Sequence, residues 1–138
     1  MASTLHLKML EVALDAVLAL GTPKLSFMTV AHTANAGTQS YYSDVSANVA
    51  SGTTVVTLSG VTTTVDTGNA RMEFDTSDIS LSTITASTNK YVLWVDTGVA
   101  ATSPILATID IAEGTLSPTA GTLAITVNAE GHFALKAV

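Results

Sequence analysis

The sequence predicts a mainly β protein, an antiparallel β-sandwich or jelly-roll-like barrel, with one N-terminal amphipathic helix. Three observations predict it. From Leu25 onward, short apolar runs alternate with Gly, Asn, Asp, Ser and Pro, which is the grammar of strands joined by turns. Thr contributes 23 residues and Ser 13 of 138, and β-branched Thr packs well on a pleated surface. Ahead of Leu25, a single stretch has apolar residues spaced by three and four.

That stretch is the helix. Leu7, Leu10, Leu14, Val17 and Leu18 form one apolar stripe, with Lys8, Glu11 and Asp15 towards the other side. Ser3 or Thr4 is positioned to cap its start. Gly21 and Pro23 end it, the glycine as a left-handed residue and the proline because it cannot continue the ladder. Residues 1–24 are therefore helix and cap, and 25–138 form one β domain. Strands are expected near 25–32, 53–58, 61–66, 70–75, 90–96, 105–111, 121–127 and 132–137. Leu123, Ile125 and Val127 share one face, as do Phe133, Leu135 and Ala137. Asn128-Ala129-Glu130-Gly131 between these two strands reads as a hairpin turn, with positive φ at Gly131. Residues 33–52 make the longest irregular piece, a loop or arm of a length often used for function or assembly.

Composition narrows the function classes. Only 12% of residues are charged, about half the usual ~25%, and 47% are hydrophobic, so charge is scarce for so large a surface. The net charge is −6 and the five basic residues are scattered, which excludes a row of phosphate contacts and argues against nucleic acid. There is no cysteine, hence no disulfide framework or thiolate chemistry. Lys8, Glu11 and Asp15 interrupt the apolar run from Leu5 to Leu20, so neither a membrane span nor a signal-peptide core is expected.

The motif that invites a catalytic reading is Val-Asp-Thr-Gly, present at 65–68 and again at 95–98. Aspartic proteases use this local pattern, but their chemistry needs two carboxylates sharing a proton, one from each lobe or each subunit. Two loops thirty residues apart cannot each head a lobe. Asp-Thr-Gly is also good turn chemistry at a strand end, and that reading takes precedence. A small dimeric protease using Asp96 or Asp66 is the remote alternative.

No other constellation carries chemistry. His6, His32 and His132 lack metal-ligand spacing and read as surface or interface histidines. Glu73, Asp75 and Asp78 lack a calcium-loop pattern and read as a solvated acidic face. No Gly-x-Ser-x-Gly elbow or phosphate loop occurs, so no catalytic residue, metal or cofactor is expected.

Strand 90–96 is apolar on both faces, with Tyr91, Leu93 and Val95 on one and Val92 and Trp94 on the other. A strand in a two-layer sandwich normally buries one face, so the second needs a cover: the N-terminal helix or a neighbouring subunit. Leu7, Leu14, Tyr41, Tyr42, Val92 and Trp94 are accordingly the interface candidates.

The same region carries a resemblance. Ser82-Thr83-Ile84-Thr85-Ala86, Lys90 to Gly98 (KYVLWVDTG), Ser103 to Asp110 (SPILATID) and Gly131-His132-Phe133-Ala134-Leu135 resemble, in that order, a group of small structural proteins of tailed bacteriophages. The resemblance covers roughly Tyr42 to Leu135 and is specific over the last sixty or so residues. It implies a non-enzymatic virion protein, a capsid decoration or cement protein made in the host cytoplasm and bound to the major capsid protein at the capsid surface. The oligomer expected with it is a trimer. The alternative is a tail or head-fibre component binding a receptor or glycan through Trp94, Tyr41 and Tyr42.

Overall fold

The computed structural model describes residues 6–136. It is mainly β, with antiparallel sheets and one α-helix near the N-terminus.

Helix α1 spans Leu7–Leu18. His6 occupies its N-cap in an extended conformation and makes no side-chain capping bond; the Ser3 or Thr4 cap lies outside the described residues. At the other end Gly21 does not have positive φ, contrary to expectation. A Cβ there would sit 2.0 Å from the Asp96 carbonyl oxygen, so glycine is required by close approach of two backbones. Pro23 is also not a terminator, because it already lies inside the first strand.

Nine strands follow among the described residues: β1 (Thr22–Thr29), β2 (Val56–Thr57), β3 (Thr62–Asp66), β4 (Arg71–Asp75), β5 (Ile79–Ile84), β6 (Thr88–Asp96), β7 (Ile105–Asp110), β8 (Gly121–Ile125) and β9 (Phe133–Lys136). They form a four-stranded sheet in the order β2-β1-β6-β7, a three-stranded sheet β3-β4-β9 and a pair β5-β8. The strand expected over 53–58 shrinks to two residues. Strand β5 is the one the sequence pattern missed, since Ser and Thr dilute its apolar positions Ile79, Leu81 and Ile84. Ala137 lies outside the described residues.

The sheets close over one core. Leu25, Phe27, Tyr91 and Leu93 enter it from the four-stranded sheet, Met72 and Phe74 from β4, and Ile79, Ile84 and Leu123 from the β5-β8 pair. Leu14 of α1 completes it, with Leu10 and Leu18 packed alongside. Fully burying a side chain of this size contributes about 1.5–3 kcal/mol, so this core is the main favourable term of folding.

Residues 128–131 do form a turn, with Gly131 at φ +79° and its N–H bonded to the Asn128 carbonyl. It is not a hairpin turn. Strand β8 pairs with β5 and β9 with β4, so the turn is a corner that carries the chain from one sheet to another. The corner is anchored where the His132 N–H bonds to the Phe74 carbonyl.

The second face of β6 is covered from within the chain, by neither the helix nor a neighbour. Residues 41–50, containing one-turn 3-10 helices at Tyr42–Asp44 and Ser46–Asn48, fold back over it. Val45 there is fully buried, packed with Met28, Val92 and Trp94. Bridges from Val49 to Met28 and from Tyr41 to Pro104 pin the segment, so the 33–52 loop closes on its own domain.

Candidate functional site

Four places in this fold bear on function: the two Asp-Thr-Gly turns, the Trp94 pocket, the His132 cluster and the outer side of α1.

Asp66 and Asp96 end strands in different sheets, and each is held by its own turn. Asp96 accepts the Gly98 N–H at 2.8 Å and pairs with the Lys24 ammonium. These two partners, Lys24 first, hold its carboxyl below the usual carboxylate range. The following loop is stitched by the buried Ser103 hydroxyl, which accepts the Thr97 N–H and donates to the Val99 carbonyl. Asp66 accepts both the side-chain amide and the backbone N–H of Asn69, which lower its pKa, in the loop joining β3 and β4. Neither carboxylate faces the other within the chain. Both motifs act as strand-end turns.

Trp94 is 4% exposed. The Tyr42 ring lies flat on it, with centroids 3.7 Å apart and planes 4° from parallel. The indole N–H donates to the Ser26 hydroxyl at 3.1 Å, and that hydroxyl donates to the Tyr42 oxygen at 3.2 Å. Every polar atom of this cluster is satisfied, as burial demands. The aromatic surface is therefore consumed inside the chain and is not available to stack on a sugar.

His132 is half-buried, and its protonation is legible from its partners. The Thr76 hydroxyl donates to the Ser77 carbonyl, so it must accept from His132 Nε2–H at 2.7 Å. That leaves Nδ1 to accept the Tyr91 hydroxyl at 2.9 Å. Burial keeps the imidazole pKa below its ordinary value and pushes Tyr91 up to about 12. With both ring nitrogens engaged, this histidine has no lone pair to offer a substrate. It borders an open groove of about 360 Å³ that also includes Asp110, Glu113 and Asn128. His32, at 3% exposure, is buried, so the surface assignment fails for it: the turn over residues 29–32 draws it inward.

The acidic residues of β4 are likewise engaged. Arg71 binds Glu73 at 2.7 Å, Glu130 at 3.2 Å and Asp66 at 3.4 Å. Asp75 accepts the Thr76 N–H and Asp78 the Val127 N–H. Among the described residues no group of three His, Cys, Asp or Glu side chains converges as a metal site.

Of the six interface candidates, Leu14, Val92 and Trp94 are buried within the chain, Leu7 and Tyr42 are half-buried, and only Tyr41, 45% exposed, faces solvent. The need for an external cover that singled out Val92 and Trp94 is met by residues 41–50. The helix residues that do face outward are others. Met9 and Val12 are 47% and 57% exposed, with Ala13 and Ala16 exposed beside them, and Leu20, 59% exposed, lies two residues past the end of α1. The spacing of Met9, Val12, Ala13 and Ala16, three, one and three residues, makes a second apolar stripe on the helix. The signal is present in the sequence, beside the leucine stripe that marks the core side. Lys8, Glu11 and Asp15 sit on one flank between the two stripes, where Asp15 accepts the Thr63 hydroxyl.

No helix among the described residues is long and apolar enough to cross a membrane. No known family, curated protein or solved structure matches the chain. What the molecule offers is a β scaffold whose polar clusters serve the fold and whose helix turns an apolar stripe outward.

Proposed function

We propose that the protein is a non-enzymatic structural component of a virion, a capsid decoration or cement protein that binds the major capsid protein and associates with copies of itself. The observation that carries the proposal is the outward apolar stripe of α1 on a chain so poor in charge. Contiguous exposed apolar surface marks a place where something binds. The resemblance of residues 82–135 to small phage structural proteins supplies the setting, and the committed state of Asp66, Asp96 and His132 supports a role without catalysis. A rigid sheet framework suits a clamp, which must hold its contact surface in one shape while many weak contacts add up. The acidic balance limits adventitious binding to nucleic acid.

The test is binding of the purified protein to expanded capsids assembled without it, read by co-sedimentation. Saturable binding that raises the temperature of capsid disruption supports the role. Failure to bind at tens of micromolar sinks it.

A further inference from the structure

We propose that the outer edge of β7 is an acceptor site for one extended peptide segment, which adds to the four-stranded sheet as a further antiparallel strand with its basic N-terminal end beside Asp110 and Glu113. The site stands apart from the virion reading and from the outer stripe of α1.

The backbone supplies the first ground. Strand β7 ends the four-stranded sheet, so it has a neighbour on one side only. The Ile111 N–H bonds to the Asn89 carbonyl, and because backbone groups alternate along an antiparallel strand, Ile109 and Ala107 also turn theirs to β6. Thr108 and Asp110 therefore turn their N–H and C=O groups outward, where no backbone partner meets them among the described residues. The opposite edge of this sheet is blunted, since β2 is only two residues long. Strand β7 has neither lysine nor proline within Ile105–Asp110, the usual protections of an edge. Unpaired strand groups in this pattern are complementary to another strand.

Shape is the second ground. A groove of about 470 Å³ touches residues 105–108 and is walled by residues 34–36, 39 and 40. The groove of about 360 Å³ beside His132 touches residues 109–113 and is walled by residues 125–128, 131 and 132. Successive strand residues point to opposite faces, so a groove that touches four or five in a row runs along the edge. The first wall is held by its own bonds: the Gln39 side chain accepts the Asn35 N–H and donates to the Thr33 carbonyl, and the Asn35 side chain accepts the Gly37 N–H. The Ile105 N–H already bonds to the Ser40 carbonyl, which closes that end. These walls leave a slot for a single extended chain. The β7 edge of a second copy would arrive with its own walls and strike them.

Charge sets the direction. Neither groove is lined by lysine or arginine, and Asp110 and Glu113 lie at the open end. The Asp110 side chain is 88% exposed and only 3.9 Å from Lys90, whose ammonium is already bonded to the His32 carbonyl at 2.8 Å. Glu113 makes no ion pair among the described residues. An antiparallel peptide brings its α-amino group and a leading Lys or Arg to these carboxylates, whereas a parallel one would bring its own carboxylate.

The test uses the peptide Lys-Thr-Val-Thr-Val-Thr, with a free amino terminus and a C-terminal fluorophore, titrated with the full chain and read by anisotropy. Saturable binding with a dissociation constant on the order of 100 µM is expected for so short an edge. Acetylated Glu-Thr-Val-Thr-Val-Thr should bind about fivefold more weakly or worse. N-methylation of one alternate set of peptide amides should abolish binding, because those N–H groups face the edge. Thr108→Pro removes an outward N–H and should weaken binding about tenfold or more, with circular dichroism verifying the fold. Asp110→Lys, at an exposed site, should reverse the preference between the two peptides. No binding at about 1 mM, binding indifferent to N-methylation of either alternate set, or an unchanged preference in Asp110→Lys overturns the proposal. So does self-association of the chain that is lost in Thr108→Pro, which would give the edge to a second copy. Capsid co-sedimentation is scored separately: failure of the peptide to bind removes this proposal alone, and failure to bind capsids removes only the functional one.

Discussion

Replacing Tyr42 with alanine removes the ring that lies flat on Trp94, and with it the principal lid on the second face of the central sheet. Truncating a fully buried aromatic costs about 3–5 kcal/mol, and Tyr42 is half-buried, so a loss of about 2 kcal/mol is expected. Of this, about 0.5–1.5 kcal/mol is the stacking itself. For a chain of 138 residues that corresponds to a melting point lower by roughly 6–10 °C. Trp94 is the only tryptophan, so its fluorescence reports both quantities: urea titration measures the stability, and the native emission maximum measures solvent access to the ring. Tyr42→Ala should shift native emission to the red as well as lower the midpoint. Tyr42→Phe keeps the stack, loses only the bond from Ser26 and should cost under about 1 kcal/mol. Tyr41→Ala, at an exposed ring, should stay within about 0.5 kcal/mol of wild type. An unchanged midpoint and unchanged emission in Tyr42→Ala would refute the claim that residues 41–50 cover this face.

Two glycines separate turn strain from steric clash. Gly98 has φ +90° with open space around it, so Gly98→Ala should cost only the left-handed penalty of about 1–2 kcal/mol, measured by denaturant titration. Gly131→Ala adds a Cβ 2.2 Å from the Phe74 carbonyl oxygen and should cost clearly more, exposing the sheet-to-sheet corner as the tighter constraint. Acid should weaken the fold in two stages. The lowered pKa values of His132 and His32, each set first by burial, mean the unfolded chain binds these protons first, so stability present above about pH 6.5 is lost as pH falls below it, and His132→Gln should reduce that stage in pH-dependent melting, leaving the share of His32. Asp66 and Asp96, also held below their ordinary range, add a second loss as pH falls below about 4.

Much of the architecture was legible because its causes are local. Alternation and turn residues placed most strands within a few positions, and the leucine spacing located α1. The Asp-Thr-Gly turns were readable for the same reason: an aspartate carboxylate bonding an N–H two residues on needs no distant partner. What failed depended on residues far apart in the chain. Asn128–Gly131 has hairpin chemistry, but whether a turn joins paired strands depends on whom those strands pair with, here β5 and β4. His132 looked solitary because Thr76 and Tyr91, which hold its two nitrogens, lie 56 and 41 residues away.

By itself, then, the sequence determined the class of fold, the helix, the turns and a surface poor in charge. Only the tertiary structure decided which apolar surface remains outside. A strand with two apolar faces announces that both need burial and does not say by what. Residues 41–50 supply the cover for Val92 and Trp94, while α1 spends its leucines on the core and presents Met9 and Val12 to solvent. Local periodicity sets which side chains share a face, and long-range packing sets which face is left over.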